Sequence, residues 1–385
     1  MKFKVNGTEL SSSIKHIQKI YEASVVARVH DSSTYCNVNL ALSDDNFIIE
    51  SSMLGVDIRY TSTGVEAEGS GEILLNIETI KDLKFKNKPV NFEVDQRNHL
   101  QFTQERYKGS LVSVGEDPEI IDFKYDEDRL ISIDKKDLMA GLKGLNFKGC
   151  DDVNFLPLRL DISADSIRMI SMDKERTAVY TQSVELDTQP FSLVLPLSII
   201  HYLISNVTSE SISIYISEYY IYFFIDNVTN WWEVSVPLVA VDTEISDSME
   251  SLSDIIDSVK KQKYDFSFKA SCSDVKDALD SVLVLGEDKK SSDVTLEVFK
   301  SKSVIFSLKS YKGNTSVEIN ASEVSVDNNK SVLVVAKFLR DFINLYPGEH
   351  VKVTVIGDKI KEDFSSVALI EGIDYNFVYM FPIGM

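Results

Sequence analysis

Two short stretches of this acidic chain concentrate lysine side chains that could bind phosphate. The chain has 385 residues and a formal net charge of −20, from 40 basic and 60 acidic residues. Residues 135–148 nevertheless hold four lysines against one aspartate, and residues 77–88 hold four lysines against two acidic residues. Both stretches are predicted helices, and lysines that contact only phosphate do not select a base sequence. The pattern indicates sequence-independent binding of duplex DNA that weakens steeply with salt.

The same pattern extends more sparsely to other predicted helices. Lys15 and Lys19 lie on one stripe of the first helix, and Lys337 and Arg340 are three residues apart on the last. A solvated face is the plainer interpretation of any single helix, but recurrence on equivalent helices favours phosphate binding. The predicted DNA-binding residues are Lys15, Lys19, Lys81, Lys84, Lys136, Lys143, Lys148, Lys276, Lys337 and Arg340.

The sequence contains no residue pattern typical of catalysis or metal binding. It has neither GxxxxGK[ST] nor GxGxxG, the glycine-rich patterns that cradle phosphates, and no GxSxG nucleophile turn. The five histidines form no HExxH or HxH pair. We therefore expect a protein that is not an enzyme and needs no metal or cofactor.

The composition is typical of a folded protein that stays in the cytoplasm. The start, "MKFKVNGTEL", has no apolar signal-peptide run, and no stretch approaches the roughly 18 apolar residues of a membrane span. Cys36, Cys150 and Cys272 are far apart, which fits a reducing compartment. We expect no membrane partner and a location in a bacterial cell, or in an infected host cell if a phage encodes the chain.

The last ten residues, "NFVYMFPIGM", are uncharged, although a terminus is normally the first part of a chain to fray into water. An exposed apolar patch on an acidic protein usually marks an interaction site, so the tail could form one wall of a protein-binding pocket. The alternative is an ordinary last strand that closes its domain.

A strand followed by an amphipathic helix recurs six times along the chain. Three copies begin at Met1, Leu130 and Tyr264, roughly one domain length apart. A second copy lies inside each span and begins at Glu72, Phe191 and Lys330. In the segments between them, apolar and polar residues alternate, and β-branched and aromatic residues are frequent, which is typical of strands. "YYIYFF" at 219–224, for example, is predicted to be a buried strand rather than an aromatic nucleic-acid platform.

These elements predict an α+β fold of three tandem domains, each with two helices packed on β-sheets. The predicted domains are 1–125, 126–245 and 264–385. Residues 246–263 between the last two are acidic, then basic, and rich in serine. That composition is typical of a solvated linker or a short surface helix.

This organisation resembles the bacterial-type sliding clamp, the β subunit of DNA polymerase III, over almost the whole chain. "MDKERTAV" at 172–179 is similar to the family's T-D-G-H-R-L-A-V segment, and "VYMFPIGM" is similar to its ending V-V-M-P-M-R-L. The resemblance implies three DNA-clamp domains that assemble into a ring around duplex DNA. Lys174, Glu175, Thr177 and Gly384 depart from the family pattern, so the implied peptide groove prefers a different peptide from the usual one.

The resemblance also implies residues for two protein interfaces. The partner-peptide groove would be lined by Leu160, Met172, Lys174, Arg176, Thr177, Met380, Phe381, Pro382 and Ile383. A head-to-tail homodimer would form through Leu111 on an edge strand of the first domain and through Val284 and Leu285 of the third. Gly109 stands where the family has phenylalanine, which predicts a weaker interface.

The expected function is that of a DNA polymerase processivity factor, a sliding clamp that encircles duplex DNA. It would tether a replicative DNA polymerase and other replication proteins through the groove, and its partners would include a clamp loader. The mechanism is effective concentration, because a tethered polymerase that lets go rebinds before it diffuses away. Two alternatives are a clamp-like scaffold that does not encircle DNA and a β-rich structural protein of a virion.

Overall fold

The structure, a computed structural model, divides into two compact units. One unit comprises Met1–Met139, Leu186–Thr188 and Leu195–Val241, and the other Ala140–Glu185, Gln189–Val194 and Asp242–Met385. The predicted division into three domains remains a prediction. The structure describes residues 1–27, 37–43, 46–53, 56–115, 123–126, 130–145, 156–173, 175–205, 209–227, 229–238, 243–286, 293–360, 364–373 and 376–383.

The first unit contains two antiparallel sheets. The smaller has five strands in the order β5-β1-β7-β8-β9, and the larger has eight in the order β10-β15-β16-β17-β4-β3-β2-β6. The strands of the smaller sheet are β1 (Lys2–Asn6), β5 (Glu66–Glu68), β7 (Pro89–Val94), β8 (His99–Gln104) and β9 (Tyr107–Val112). Those of the larger are β2 (Asn37–Ser43), β3 (Asn46–Met53), β4 (Val56–Ser62), β6 (Gly71–Asn76), β10 (Ile131–Asp134), β15 (Ser211–Ile216), β16 (Tyr220–Asn227) and β17 (Asn230–Pro237).

The second unit contains a nine-stranded and a four-stranded sheet. Their strand orders are β14-β11-β12-β13-β26-β25-β24-β18-β22 and β21-β20-β19-β23. The strands of the nine-stranded sheet are β11 (Pro157–Ile162), β12 (Ser166–Met172), β13 (Thr177–Ser183), β14 (Phe191–Pro196), β18 (Phe266–Ser271), β22 (Ser322–Val326), β24 (His350–Ile360), β25 (Phe364–Gly372) and β26 (Phe377–Pro382). Those of the four-stranded sheet are β19 (Asp293–Val298), β20 (Ser303–Ser310), β21 (Gly313–Asn320) and β23 (Lys330–Val335).

All six predicted strand-then-helix pairs are present, and in each the helix begins directly after its strand. The helices are α1 (Gly7–Ala27), α2 (Ile77–Ile80), α3 (Lys135–Leu145), α4 (Leu197–Ser205), α6 (Cys272–Val282) and α7 (Ala336–Leu345), and a further helix, α5, spans Thr243–Lys260. Asn6, Asn76 and Ser271 end their strands, and each side-chain oxygen accepts hydrogen bonds from the first amides of the following helix. The strand-to-helix switch is therefore encoded locally. The predicted α+β fold class is confirmed.

The predicted helix over 77–88 is wrong beyond Ile80, because side-chain packing overrides the helical pattern. Phe85 packs its ring edge-on against Phe92 and Phe102 of the five-stranded sheet, at centroid distances of 5.9 and 5.5 Å. Gln104 then fixes the backbone: it accepts from the Lys86 amide at 2.8 Å and donates to the Lys86 carbonyl oxygen at 3.1 Å. The lysines of this stretch consequently lie on an irregular segment rather than on one helix face.

Two other sequence predictions have clear outcomes. "YYIYFF" does form a buried strand: Tyr220–Asn227 is β16, and Ile221, Phe223 and Ile225 are buried in it. The serine-rich stretch 246–263 lies mostly in the α-helix Thr243–Lys260, so the alternative of a solvated linker is wrong. Among the described residues, no helix is long and apolar enough to cross a membrane.

Candidate DNA-binding and partner-binding surfaces

The uncharged tail forms β26, an interior strand of the nine-stranded sheet. It pairs with β13 on one side, with Val179 opposite Val378, and with β25 on the other, with Leu369 opposite Met380. Its backbone groups are therefore satisfied on both edges. Because both faces of this strand are also covered by helices, a charged side chain has no place in its middle.

Helix α7 covers one face of the tail strand with aromatic side chains. The ring of Phe342 lies 5.7 Å from that of Phe377 and 5.4 Å from that of Tyr379, measured between centroids. The rings of Phe338 and Phe381 are 5.6 Å apart. Every second residue of the tail strand, from Phe377 to Phe381, is therefore part of a buried aromatic core.

Arg176 ties the "DKER" turn to α7 from inside the protein. Its side chain is 1% exposed and donates to Asp173 at 2.7 Å and to Asp341 of α7 at 2.8 Å. The guanidinium also lies over the Phe338 ring, 4.9 Å from the centroid. Burial raises the pKa of the Asp341 carboxyl, although the neighbouring Arg176 acts in the opposite direction. Arg176 is thus a structural ion-pair residue.

Helix α5 covers the opposite face of the tail strand. Its Met249, Ile256 and Val259 are buried in one cluster with Ile170, Val179, Ile356, Leu369 and Val378, and Leu252, Met172 and Met380 pack against that cluster. Arg168 of β12 secures the helix, because both of its terminal nitrogens donate to Asp257, at 3.1 and 3.3 Å. The sequence analysis did not identify α5 as part of this site. The apolar spacing of residues 249, 252, 256 and 259 was the signal that could have revealed it.

The nine predicted groove residues do not share one face of the sheet. Met172 lies opposite Thr177, and Thr177 opposite Met380, so these three face α5, as Pro382 does by alternation. Leu160 lies opposite Met169 and shares the other face, where Phe381 and Arg176 contact α7. Ile383 is buried, Pro382 is exposed, and Lys174 lies outside the described residues.

In the first unit, α1 presents the predicted DNA-binding pair Lys15 and Lys19 on its exposed side. Its buried side packs against α4 through His16, whose ring lies 5.1 Å from that of Tyr202 and 4.7 Å from that of Trp232. Burial lowers the pKa of His16 to about 4. Lys19 extends over the Tyr202 ring, 5.8 Å from the centroid. Lys15 and Lys19 are therefore exposed beside a neutral, aromatic helix contact, and Lys19 lies over one of its rings.

Several predicted DNA-binding residues are already in ion pairs. Lys136 of α3 pairs with Asp134 at 2.9 Å, Lys81 pairs with Glu78, and Arg340 of α7 pairs with Asp280 at 3.0 Å. Lys143 and Lys84 are exposed, and Lys337 is half-buried. Surface pairs of this kind contribute little to stability and can exchange for phosphate. Lys148 lies outside the described residues.

Helix α6 is the least favourable of these surfaces for DNA. Lys276 is exposed, but the helix also carries Asp274, Asp277 and Asp280, all exposed. The local charge of α6 is therefore negative. Helix α3, by contrast, carries a single acidic residue, Asp137, beside Lys135, Lys136 and Lys143.

The residues predicted for a dimer interface lie at or near two sheet edges. Strand β9 is an edge of the five-stranded sheet, with Leu111 buried inside it and Val112 64% exposed beside it. Strand β21 is an edge of the four-stranded sheet, and the 3₁₀ turn Leu283–Leu285 contacts it. In that turn Val284 is 61% exposed and Leu285 is half-buried. Gly109 of β9 lies directly against the ring of Phe102, which occupies the space a side chain would need.

The part of the chain that the structure describes contains no group of three or more His, Cys, Asp or Glu residues that could hold a metal ion. The candidate surfaces are instead lysine-bearing helices, two sheet edges, and the apolar face under α5.

Comparison with solved structures identifies the fold over the whole chain. The DNA polymerase sliding clamp from Bacillus subtilis matches with a TM-score of 0.78 at 16% identity, covering 100% of this chain and 99% of that one. A putative DNA polymerase III β subunit from Eubacterium rectale matches with a TM-score of 0.77 at 15% identity, covering 100% and 98%. The β subunit from Thermotoga maritima matches with a TM-score of 0.74 at 15% identity, covering 100% and 99%.

No protein-family model matches the sequence, and no curated protein matches it either. The similarity to the solved structures is therefore one of backbone structure, at low sequence identity. The chain has the fold of the DNA polymerase III β subunits, and the fold that the sequence resemblance implied is confirmed.

Proposed function

We propose that this chain is a DNA polymerase processivity factor that closes around duplex DNA as a homodimer and tethers a polymerase. The observation that carries the proposal is the full-length agreement of the fold with structures of sliding clamps, at TM-scores of 0.77 and 0.78 for two of them. Because a fold alone does not define a function, the proposal also needs support from the surfaces that would bind DNA and a partner protein.

On the DNA side, exposed lysines at the helices support the proposal. Lys15, Lys19 and Lys143 are exposed on helices of strand-then-helix pairs, in a chain whose net charge is −20. Contacts of this kind hold the phosphate backbone at every position equally, which suits a protein that slides. A strongly acidic remainder repels DNA from other surfaces.

On the partner side, the apolar face of β12, β13 and β26 supports a peptide-binding role. Met172, Thr177, Met380 and Pro382 lie on this face, and they are the predicted groove residues that the sheet brings together. A tether needs a partner segment to bury a few apolar anchors here. Replicative polymerase and clamp loader are the partners that this function requires.

A clamp-like scaffold that does not encircle DNA is the second candidate. The observation that favours it is that α6 carries three aspartates beside Lys276, and that Lys136 and Arg340 are paired with carboxylates of the chain itself. A scaffold would bind protein partners normally and show no topological link to DNA.

A threading experiment separates these candidates without a loader. Purified protein is mixed with linear duplex DNA carrying biotin at both ends, and streptavidin is then added to block the ends. We expect protein to survive a high-salt wash when the ends are blocked after mixing, and to be lost when they are blocked before. Retention that does not depend on the order of blocking would remove the proposal of encirclement, whereas loss in both orders would mean that the chain does not thread onto DNA without a loading protein.

Charge reversal tests the lysines in the same assay. Lys136→Glu combined with Lys143→Glu should reduce the protein threaded at low salt by at least several-fold, because both side chains are exposed on α3. Lys300→Glu combined with Lys309→Glu is the matched control, since both lysines are exposed at the four-stranded sheet and lie on no helix. Equal losses for the two variants would mean that net charge alone is responsible.

A further inference from the structure

Helix α5 lies on the same apolar face that the proposed function requires for partner binding. Met249, Ile256 and Val259 are 0%, 1% and 2% exposed, and Leu252 is half-buried. These positions fall at i, i+3, i+7 and i+10, one stripe of a helix. Along the other side, Asp254 and Ile255 are exposed, the latter by 39%. The helix is amphipathic, and its apolar stripe is what covers the sheet.

The contact brings together side chains suited to exchange of partners. Met249 comes from α5, and Met172 and Met380 come from the sheet, so three of the eight methionines of the chain meet in this one cluster. Methionine is unbranched and polarisable, and it is characteristic of surfaces that accept more than one partner. The α7 face of the same strand is different: it holds fixed aromatic rings and the buried Arg176 ion pairs.

The helix has little intrinsic stability. Its sequence, TEISDSMESLSDIIDSVK, contains five serines and three aspartates, residues that favour caps and turns over helix interiors. The ion pair between Arg168 and Asp257 that attaches it to β12 is partly open to solvent, since the two side chains are 24% and 47% exposed. A segment of this composition stays helical mainly because its apolar stripe is docked.

We propose that α5 is a displaceable internal ligand of this face, and that it blocks partner binding until it is released. A partner segment that takes its place is an amphipathic helix with apolar anchors spaced like Met249, Leu252, Ile256 and Val259. That segment also carries an acidic residue in the position of Asp257, facing Arg168. That the partner is a replication protein rests on the proposed function. That α5 covers this face does not.

The test uses the helix sequence itself as the probe, supplied in trans. A fluorescein-labelled peptide of residues 246–261 is titrated with the full-length protein, and fluorescence anisotropy is measured. Ile256→Glu with Val259→Glu puts two carboxylates on the docked stripe and should release α5. Ile255→Glu with Ser258→Glu adds the same charge to the exposed side of the same helix. We expect the peptide to bind the first variant at least ten-fold more tightly than it binds the wild type or the second variant.

Further substitutions locate the binding surface. Met380→Glu added to the released variant should abolish peptide binding, because Met380 packs in the cluster under α5. A peptide carrying Asp257→Asn should bind several-fold more weakly, because it cannot pair with Arg168. Equal affinity of the peptide for all three proteins would overturn the proposal, and so would binding that Met380→Glu leaves unchanged.

A measurement on the wild type covers the case in which the released variant does not fold. Amide hydrogen exchange should be faster in α5 than in α7, because displacement of α5 does not require the aromatic core to open. Equal protection of the two helices would reject displacement. The DNA-threading assay uses the wild type and does not involve the peptide, so failure of the proposed function and failure of this inference are separate results.

Discussion

At the scale of single residues, the most consequential group in the second unit is Arg176. Its guanidinium neutralises Asp173, which is 4% exposed, and Asp341, which is 19% exposed. Removing one partner of a buried ion pair leaves uncompensated charge, which costs about 3–5 kcal/mol. We therefore expect Arg176→Met to lower the free energy of unfolding by that amount, measured by urea denaturation.

A matched control and a rescue make this prediction specific. Lys143→Met removes a cation from an exposed position on α3 and should change stability by less than about 0.5 kcal/mol. Adding Asp173→Asn and Asp341→Asn to Arg176→Met removes the stranded charges and should recover part of the loss. A loss below about 1 kcal/mol for Arg176→Met would show that the network does not stabilise the fold.

His16 gives the first unit a dependence on pH. Its pKa is lowered by burial from 6.5 to about 4, so the unfolded chain takes up the proton first as the pH falls. The contribution to stability is fully present above pH 6.5 and is lost progressively as the pH falls towards 4. A shift of this size corresponds to roughly 3 kcal/mol. Thermal unfolding at a series of pH values should show His16→Phe to be less sensitive over this window.

The control for His16→Phe is a variant that keeps the buried imidazole. A second variant, Tyr202→Phe, keeps both the imidazole of His16 and an aromatic ring beside it, so the slope of stability against pH should persist in that variant. A slope that persists in His16→Phe would assign the pH dependence to carboxylates instead.

The alternation of side chains along a strand explains why the predicted groove residues that the structure describes lie on two faces of the sheet. The order of Met172, Arg176 and Met380 along the chain resembles that of the clamp family, and β13 does pair with β26. Successive side chains of a strand point to opposite faces of the sheet, so Met380 faces α5 whereas Phe381 faces α7. The sequence of this motif gives no sign of whether its arginine is exposed or, as here, buried between two carboxylates. That depends on Asp341, which lies 165 residues further along the chain.

At the scale of elements, the approach of α3 to the tail strand depends on glycine. A methyl group at Gly144 would overlap the ring of Phe377, which is 2% exposed and surrounded by other aromatic rings. Alanine would favour the helix by about 1 kcal/mol. Overpacking a filled core costs about 1–3 kcal/mol, so the second effect wins. We expect Gly144→Ala to lower the urea midpoint, whereas Lys143→Ala at the exposed neighbouring position should not.

The elements that could be predicted are those whose signals are local. Strand-then-helix pairs were visible because apolar spacing switches from two to 3.6 at a capping residue such as Asn6 or Ser271. Helix α2 was overextended because Phe85 and Gln104 settle its end through contacts with a distant sheet. The stretch that contains α5 was interpreted as a solvated linker or a short surface helix, because its composition is polar and its apolar stripe is narrow. Its apolar spacing indicates a helix with one buried side, but it does not indicate which strands that side covers, because those strands come from distant parts of the chain.

At the scale of the whole molecule, closure of the proposed ring depends on whether the outer strands of two sheets pair with a second copy of the chain. Among the described strands, β9 and β21 are the outer strands of their sheets, and monomeric proteins usually protect the backbone groups of such strands. Pairing two copies of the chain head to tail would satisfy both edges. The ring of Phe102 fills the space that a larger side chain at Gly109 would need, so Gly109 adds no apolar side chain to the β9 edge.

Native mass in solution tests closure, and exposed residues near the two edges provide the variants. Analytical ultracentrifugation over a range of concentrations should give a mass of two chains for the wild type. Val284→Asp, at a residue 61% exposed, should raise the dimer dissociation constant at least ten-fold without loss of fold, because the charge would be buried on association. Ile373→Asp, at a residue 41% exposed elsewhere on the second unit, is the matched control and should remain dimeric. Leu111→Asp should instead unfold the small sheet, since Leu111 is 7% exposed. A wild type that stays monomeric at every concentration would mean that the edges do not pair unaided, so that a loading protein would have to close the ring before it could hold DNA.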